Sequence, residues 1–376
     1  MSDDTLPEPD VVDGAPHPRD TLRLIGQQGA EQEFLEAYNS ERLHHGWMIT
    51  GPRGSGKATL AWSIARFLLA TPLPIAGGMF GELEHAPHAD TLDIAPDHPL
   101  RRRMAAGSEQ GLFVLRRGYN DKTKRLKDQI TVDEARKLKG FFSLSSADGG
   151  RRVVIVDAAD ELNTSAANAL LKLLEEPPAR TTLLLVTHQP SGLLPTIRSR
   201  CRVLRLKPLE PDQMQQALDQ AGVQTDAPDQ MAALAEGSVG AAVRLANLNG
   251  LALYAEWIAI LGSLPRLDRT RAQALAEAAA MRGAEERRAL MVALLDQALA
   301  RLAKTGATGQ PPLPEAAKGE AEVLMRLAPD PASARLWAAQ AQEIGARLRH
   351  GLAVNLDPAA LILDTVFRLQ KAAAGG

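Results

Sequence analysis

Trp47-Met48-Ile49-Thr50-Gly51-Pro52-Arg53-Gly54-Ser55-Gly56-Lys57 decides how the rest of the chain is read. Four residues suited to a buried strand run into a glycine-rich turn, and Thr59 to Ala70 continues in a helical pattern. Gly51, Gly54 and Gly56 let the backbone curl so that its N–H groups, with that of Ser55, converge on an anion. The helix N-terminus adds the positive end of its dipole, and Lys57 can reach outer phosphates. A tight turn with no ligand is the plain alternative. It accounts less well for strand, glycine spacing and lysine occurring together. The next position calls for a Ser or Thr hydroxyl on Mg²⁺, and Ala58 stands there. Thr59 lies about 100° further around the helix and does not substitute simply.

Outward from this loop, Arg152-Val153-Val154-Ile155-Val156-Asp157 and Thr182-Leu183-Leu184-Leu185-Val186-Thr187 read as strands buried on both faces. Apolar runs alternating with helical patterns from about Leu22 to Pro208 predict an α/β unit with a parallel sheet. Asp157, at a strand's C-terminal end, is a candidate Mg²⁺ and cofactor ligand; a turn or capping acid is the alternative. In ATPases of this kind a Glu usually follows and polarises the attacking water. Ala158 cannot do so, and Asp160 and Glu161 sit past the strand end.

A stretch holding Pro72, Pro74, Gly77, Gly78, Pro87, Pro96 and Pro99 separates the first two strands and reads as an insertion or long loop. Its His85, His88 and His98 match no standard metal spacing, so no metal ligand is assigned. Beyond Pro208 the pattern turns helical: Leu209 to Leu248, Leu251 to about Leu302, a Gly/Pro linker from Thr305 to Pro314, and helices from Glu315 to Leu369. Residues 1–20 are acidic and proline-rich and read as a disordered leader.

The 376 residues carry a net charge of -2, so the chain as a whole is not a polyanion-coating protein. One cysteine, Cys201, excludes an internal disulfide framework and a multi-cysteine zinc module, and suits a reducing, cytoplasmic setting. No apolar run reaches the length of a membrane span. The basic runs Arg101-Arg102-Arg103 and Arg116, Arg117, Lys122, Lys124, Arg125, Lys127 could touch phosphates, but interspersed acids and prolines favour a solvated surface. Trp62, Trp257 and Trp337 fall at helical positions that suit a core or an interface.

Three further stretches resemble one family. Asn168-Ala169-Leu170-Leu171-Lys172-Leu173-Leu174-Glu175-Glu176-Pro177-Pro178 is similar to the segment that follows the second phosphate-site strand in bacterial clamp-loader AAA+ subunits. Leu193-Leu194-Pro195-Thr196-Ile197-Arg198-Ser199-Arg200-Cys201 resembles their Ser-Arg-Cys motif, and His44-His45-Gly46 is also similar. The likeness covers about Leu24 to Pro208, and Asn355-Leu356-Asp357-Pro358 resembles the same proteins near their ends.

The resemblance implies a RecA-like AAA+ domain at 21–208, a helical lid at 209–249 and an all-α collar at 250–376 through which subunits assemble. It implies that Arg200 is an arginine finger acting in trans on a neighbouring subunit's ATP. It implies gamma/tau-type ATPase and delta subunits as partners in a hetero-oligomeric ring of the DNA polymerase III holoenzyme. The sliding clamp and primer-template DNA would be reached through that complex, and no membrane is implied.

Glu236-Gly237-Ser238-Val239-Gly240 resembles the sensor-2 region, with Gly240 where active relatives carry Arg; Arg244, one turn away, is a poor replacement. Many relatives have a four-cysteine zinc module, and this chain lacks the cysteines, so no zinc is expected. Ala58, Ala158 and Gly240 together remove functions that act on the chain's own nucleotide, whereas Arg200 keeps one that acts on a neighbour's. Whether ATP or ADP still binds is left open; hydrolysis by the isolated chain is not expected. The rival readings are a self-sufficient weak AAA+ ATPase using Lys57, Asp157 and a displaced acid such as Asp160, and a DNA-binding switch protein without ring partners.

Overall fold

The computed structural model describes residues 8, 11–21, 23–72, 87–120, 122, 125–144 and 150–375. Pro74, Gly77, Gly78 and His85 of the proline-rich stretch, Lys124 of the basic run, and most of the first ten residues lie outside these. The chain divides into two units, Met1–Ala217 with Ser238–Gly240, and Leu218–Gly237 with Ala241–Gly376.

The first unit runs α1 (Gln28–Asn39), β1 (Gly46–Thr50), α2 (Lys57–Ala70), α3 (Pro99–Ala105), β2 (Leu112–Arg116), a short hairpin of β3 (Tyr119–Asn120) and β4 (Arg125–Leu126), α4 (Val132–Leu144), β5 (Arg152–Asp157), α5 (Thr164–Glu175), β6 (Thr181–Thr187), α6 (Pro195–Arg198) and β7 (Arg202–Arg205). Five strands form one parallel sheet in the order β2-β5-β6-β1-β7. Side chains alternate between its faces as strand geometry requires. Trp47, Ile49, Val153, Ile155, Leu184, Val186 and Leu204 pack with Phe34 of α1 and Leu60, Ile64 and Leu68 of α2. Met48, Val154, Val156, Leu183 and Leu185 pack on the other face with Ala135 and Leu138 of α4 and Leu170 and Leu174 of α5. Helix α2 is buried on nearly every side, which explains its all-round apolar sequence. Because the strands are parallel, their C-terminal ends lie along one edge, and Arg116, Asp157, Thr187 and Thr50 end there.

Helix α7 (Pro211–Gln220) crosses into the second unit, which is helical: α8 (Pro228–Ala235), α9 (Val239–Asn247), α10 (Gly250–Ser263), α11 (Arg269–Ala280), α12 (Glu285–Thr308), α13 (Glu320–Leu327), α14 (Pro331–Ala353) and α15 (Pro358–Gly375). Helix α12, about 36 Å long by its rise per residue, packs on α14. Trp257 and Trp337 are buried, their indole N–H groups donating to Met291 O at 3.0 Å and Leu327 O at 2.9 Å. Buried Glu320 accepts from Tyr254, Arg301 and the Ala316 N–H, which ties the segment before α13 to α10 and α12. No single helix among the described residues is long and apolar enough to cross a membrane.

Three features differ from the sequence reading. From Pro99 onward, before β5, the chain adds α3, the edge strand β2, the hairpin and α4, which the sequence reading did not name. The Gly/Pro linker begins later than Thr305, because α12 continues to Thr308. Gly306 is a packing glycine: a Cβ there would meet Asp330 O at 2.8 Å and the Ala334 Cβ at 3.0 Å, at the start of α14.

The third difference is the leader, whose described residues are held against the first unit. Arg66, 4% exposed on α2, donates to Arg19 O at 2.6 Å and Thr21 O at 3.1 Å. His17 meets the Trp62 ring edge-on, with centroids 5.8 Å apart. A buried arginine needs acceptors, and here it finds them in backbone carbonyls, which any composition supplies.

Candidate functional site

The turn after β1 has the backbone its glycines predict: Gly51, Gly54 and Gly56 have φ of 148°, 77° and 91°. Lys57 opens α2 and is 3% exposed. Its ammonium donates to Gly51 O at 2.9 Å and Pro52 O at 2.5 Å, so it curls onto its own loop. Burial pushes it down to about 8, while Asp157 and Asp160 pull it upward and Arg53 adds to the fall. The Ser55 hydroxyl donates to Pro52 O at 2.8 Å. Beside Lys57, Ala58 offers no hydroxyl to a metal.

The segment Ser238–Gly240 lies directly on this loop. The Ser238 hydroxyl donates to Arg53 O at 2.7 Å, and the Gly240 N–H donates to Gly54 O at 3.2 Å. A Cβ on Gly54 would sit 2.4 Å from Ser238 Oγ, and a Cβ on Gly240 would sit 3.1 Å from Gly54 Cα. Glycine at 240 therefore does more than omit an arginine: it allows two backbones to touch.

Asp157 ends β5 and is 9% exposed, beside the buried methyl of Ala158. The two acids that could stand in for a missing glutamate are engaged elsewhere. Asp160 Oδ1 accepts the His188 N–H at 3.0 Å, and Glu161 pairs with Arg117 Nε at 2.8 Å. Burial raises the Glu161 carboxyl above the usual range against the pull of Arg117.

His188, which the sequence reading did not single out, follows β6 into this same neighbourhood. Burial, then the nearby Lys57 charge, pushes it down to about 4, with Asp160 opposing. It is a neutral imidazole at ordinary pH, and its buried Nδ1 finds no hydrogen-bond partner among the described residues. A lone histidine in Thr187-His188-Gln189 carries no motif; only the sheet brings it to Lys57. Among the described residues no group of three or more His, Cys, Asp or Glu could hold a metal ion.

Arg200 lies elsewhere. It follows α6, and its backbone carbonyl stands 3.0 Å from where a Cβ on Gly46 would be. Gly46 begins β1, whereas the phosphate loop follows Thr50 at the other end. Four steps at about 3.3 Å each put roughly 13 Å of strand between them. The guanidinium is exposed, with Nη1 donating to Thr196 O at 3.0 Å and Nη2 paired with Glu175 Oε1 at 3.0 Å. The predicted residues occupy two places: Gly51, Gly54, Ser55, Gly56, Lys57 and Asp157, read as cofactor-binding, at the C-terminal edge of the sheet, and Arg200, read as acting in trans, at the N-terminal edge. Cys201, beside it, is a half-buried thiol that burial pushes up to about 12.

Residues 26–210 match the family described as DNA polymerase III, delta subunit. The chain is 40% identical over 157 residues to the DNA polymerase III subunit delta' of Pseudomonas aeruginosa, covering 42% of this chain and 41% of that protein. Against the delta' subunit of Escherichia coli it is 31% identical over 177 residues, 47% of this chain and 46% of the other. The matched stretches thus span less than half the length of these relatives. The DNA polymerase III subunit gamma/tau of Mycobacterium bovis is 29% identical over 213 residues, 56% of this chain and 33% of that one. A DNA polymerase III gamma subunit-related protein of Thermotoga maritima superposes with a TM-score of 0.41 at 17% identity, covering 90% of this chain and 99% of its own.

Proposed function

Through residues 26–210 the chain belongs to the DNA polymerase III delta-subunit family, and from that premise we propose that it is a stator of the clamp loader that acts on a neighbour's nucleotide. Arg200 is the acting group. Its position carries the reading: the guanidinium is exposed at the sheet edge opposite the chain's own phosphate loop. It has only a surface carboxylate and one carbonyl to leave behind. An arginine so placed cannot serve Lys57's site, yet it is free to enter a site on an adjoining subunit. A guanidinium stays protonated and neutralises charge developing on a γ-phosphate as the bond to the leaving oxygen lengthens.

The partner with that site is a gamma/tau-type ATPase subunit, with a delta subunit in the same hetero-oligomeric ring. The helices from 250 onward act as collar and residues 209–249 as lid. Clamp opening and loading onto primer-template DNA are work of the assembled ring, in the cytoplasm. The chain's own loop keeps the backbone of an ATP or ADP site without the groups for hydrolysis. Ala58 gives no metal ligand, Ala158 no base, and Asp160 and Glu161 are engaged with His188 and Arg117.

The test is steady-state ATP hydrolysis by the purified chain alone, and by the chain mixed with gamma/tau-type and delta subunits. Silence alone, with Arg200-dependent turnover in the mixture, is the expected result. Turnover by the chain alone, abolished by Lys57→Ala, would overturn it and establish a self-sufficient ATPase.

A further inference from the structure

Three elements converge on the turn His44-His45-Gly46, at the end of the sheet where Arg200 stands. Gly46, the first residue of β1, is buried among them. A Cβ there would lie 2.9 Å from Leu174 Cδ2 of α5, 3.0 Å from Arg200 O and 3.4 Å from Cys201 Sγ. The missing side chain lets the end of α5 and the turn after α6 close on the start of β1. Leu174 of α5 and Ile197 of α6 share one apolar cluster, with Cys201 against it. The Arg200 N–H donates to Ile197 O at 3.1 Å. Strand β7 starts two residues after Arg200, with Arg202 opposite Trp47 of β1.

Helix α5 ends at Glu175, so Leu174 O is among the carbonyls that no intrahelical N–H can reach. His45 supplies the partner: its Nε2 lies 2.9 Å from Leu174 O, 129 residues away in sequence. A carbonyl only accepts, so His45 Nε2 carries the proton. The His45 backbone carbonyl accepts the Leu183 N–H at 2.7 Å, which ties the same residue to β6. His44 braces the ring from one face, the two imidazoles stacking with centroids 4.4 Å apart. His44 Nδ1 lies 2.9 Å from Gly46 O and 3.1 Å from Gly46 N. His44 O accepts the Trp47 indole N–H at 2.9 Å.

We propose that His45 is a positioning residue for Arg200: by holding Leu174 O it fixes the end of α5, and with it the Arg200 backbone that packs beside α5 over Gly46. The inference rests on the reading of Arg200 as a group that acts on a neighbour's ATP, and it adds what aims that group. The resting partners of the guanidinium, Thr196 O and Glu175, are both given up when it enters another site. The backbone anchor alone then sets where the guanidinium arrives. A misplacement of about 1 Å can cost about a hundredfold in rate. His45 touches no nucleotide and moves no proton in the reaction; its effect passes wholly through Arg200.

The experiment is ATP hydrolysis by the chain assembled with gamma/tau-type ATPase and delta subunits, with kcat and KM read separately. His45→Gln and His45→Asn are compared with the unaltered chain, each also in an Arg200→Ala background. A Gln amide N–H can stand where Nε2 does, whereas that of Asn falls short and leaves Leu174 O without a donor. His45→Asn is expected to lower kcat about tenfold with KM within about twofold, since aim matters chiefly in the transition state. His45→Gln should recover most of that loss, and neither change should lower the rate of the Arg200→Ala complex further. An unchanged rate with His45→Asn, an equal loss with Asn and Gln, or a further fall in the Arg200→Ala background would overturn the positioning role and leave that of Arg200 in place. Gel filtration reads assembly, and a His45→Asn chain that no longer joins its partners would make the histidine a folding residue and overturn the positioning role as well. An Arg200→Ala complex as fast as the unaltered one would overturn both readings.

Discussion

The two ends of strand β1, which lies between β6 and β7, carry different chemical equipment. At its C-terminal end the loop has the three positive-φ glycines and buried lysine of a phosphate cradle. Yet every group that would act on a bound phosphate is missing or engaged. Lys57 donates to loop carbonyls, Asp160 caps a backbone N–H and Glu161 is paired. Near the N-terminal end Arg200 is partly exposed and held by surface partners. Backbone shape persists where a strand must turn into a helix whatever the ligand, so a loop's form is weak testimony to its activity. An arginine standing outside the core is not needed to hold the sheet together, so its placement bears more directly on what the chain can reach.

The comparison breaks most readily at Arg200. Arg200→Ala should leave folding and assembly intact and lower hydrolysis at the adjoining site by about 10³-fold, the scale of an arginine finger. Arg200→Lys should recover little of this, since an ammonium lacks the planar fork. An unchanged rate in the assembled complex would remove the trans assignment.

At the other end His188 offers a smaller effect with a definite sign. Its folded value of about 4 lies below the ordinary histidine value, so the unfolded chain takes up a proton first as pH falls. The stability concerned is present above about pH 6.5 and is lost progressively down to about pH 4. Between pH 7.5 and pH 5 the loss should be about 1–2 kcal/mol after allowance for partial exposure. Denaturant titrations of His188→Asn should show that much less acid sensitivity than the unaltered chain.

Glu175→Gln sharpens the description of Arg200. The pair is exposed on both sides, and such pairs contribute under about 1 kcal/mol. The variant should alter hydrolysis by the assembled complex by no more than about fivefold, and leave nucleotide binding by the isolated chain unchanged. A loss as large as that of Arg200→Ala would mean that Glu175 orients the finger.

The smallest expected effect is on Ala58→Ser/Ala158→Glu, which should gain no robust hydrolysis in the isolated chain. A hydroxyl and a carboxylate are restored, but Gly240 still offers no cation and still lies on Gly54. Strong turnover by this double variant, read in the same ATPase assay, would show that the sensor position is dispensable.

The buried strands β1, β5 and β6 were legible because burial on both faces demands near-continuous apolar runs. Edge strand β2 was not: Leu112 to Arg116 is short, only partly buried, and preceded by a proline-rich stretch. Gly306 reads as a linker signal from composition, yet it marks the close approach of two long helices. A small residue looks the same in a chain whether it frees a turn or admits a neighbour. His188 and the leader escaped for a related reason, since their partners, Lys57 and Arg66, lie far from them in sequence.

What the sequence determined by itself is chemical capacity. A missing hydroxyl at Ala58, a missing carboxylate at Ala158 and a missing guanidinium at Gly240 are covalent facts that no fold can repair. What only the tertiary structure decided is where the remaining groups can act. Arg200 stands at the opposite edge of the sheet from Lys57, and His188 is brought beside Lys57. Distance between side chains is set by how strands cross and pair, and that information resides in contacts rather than in spacing along the chain.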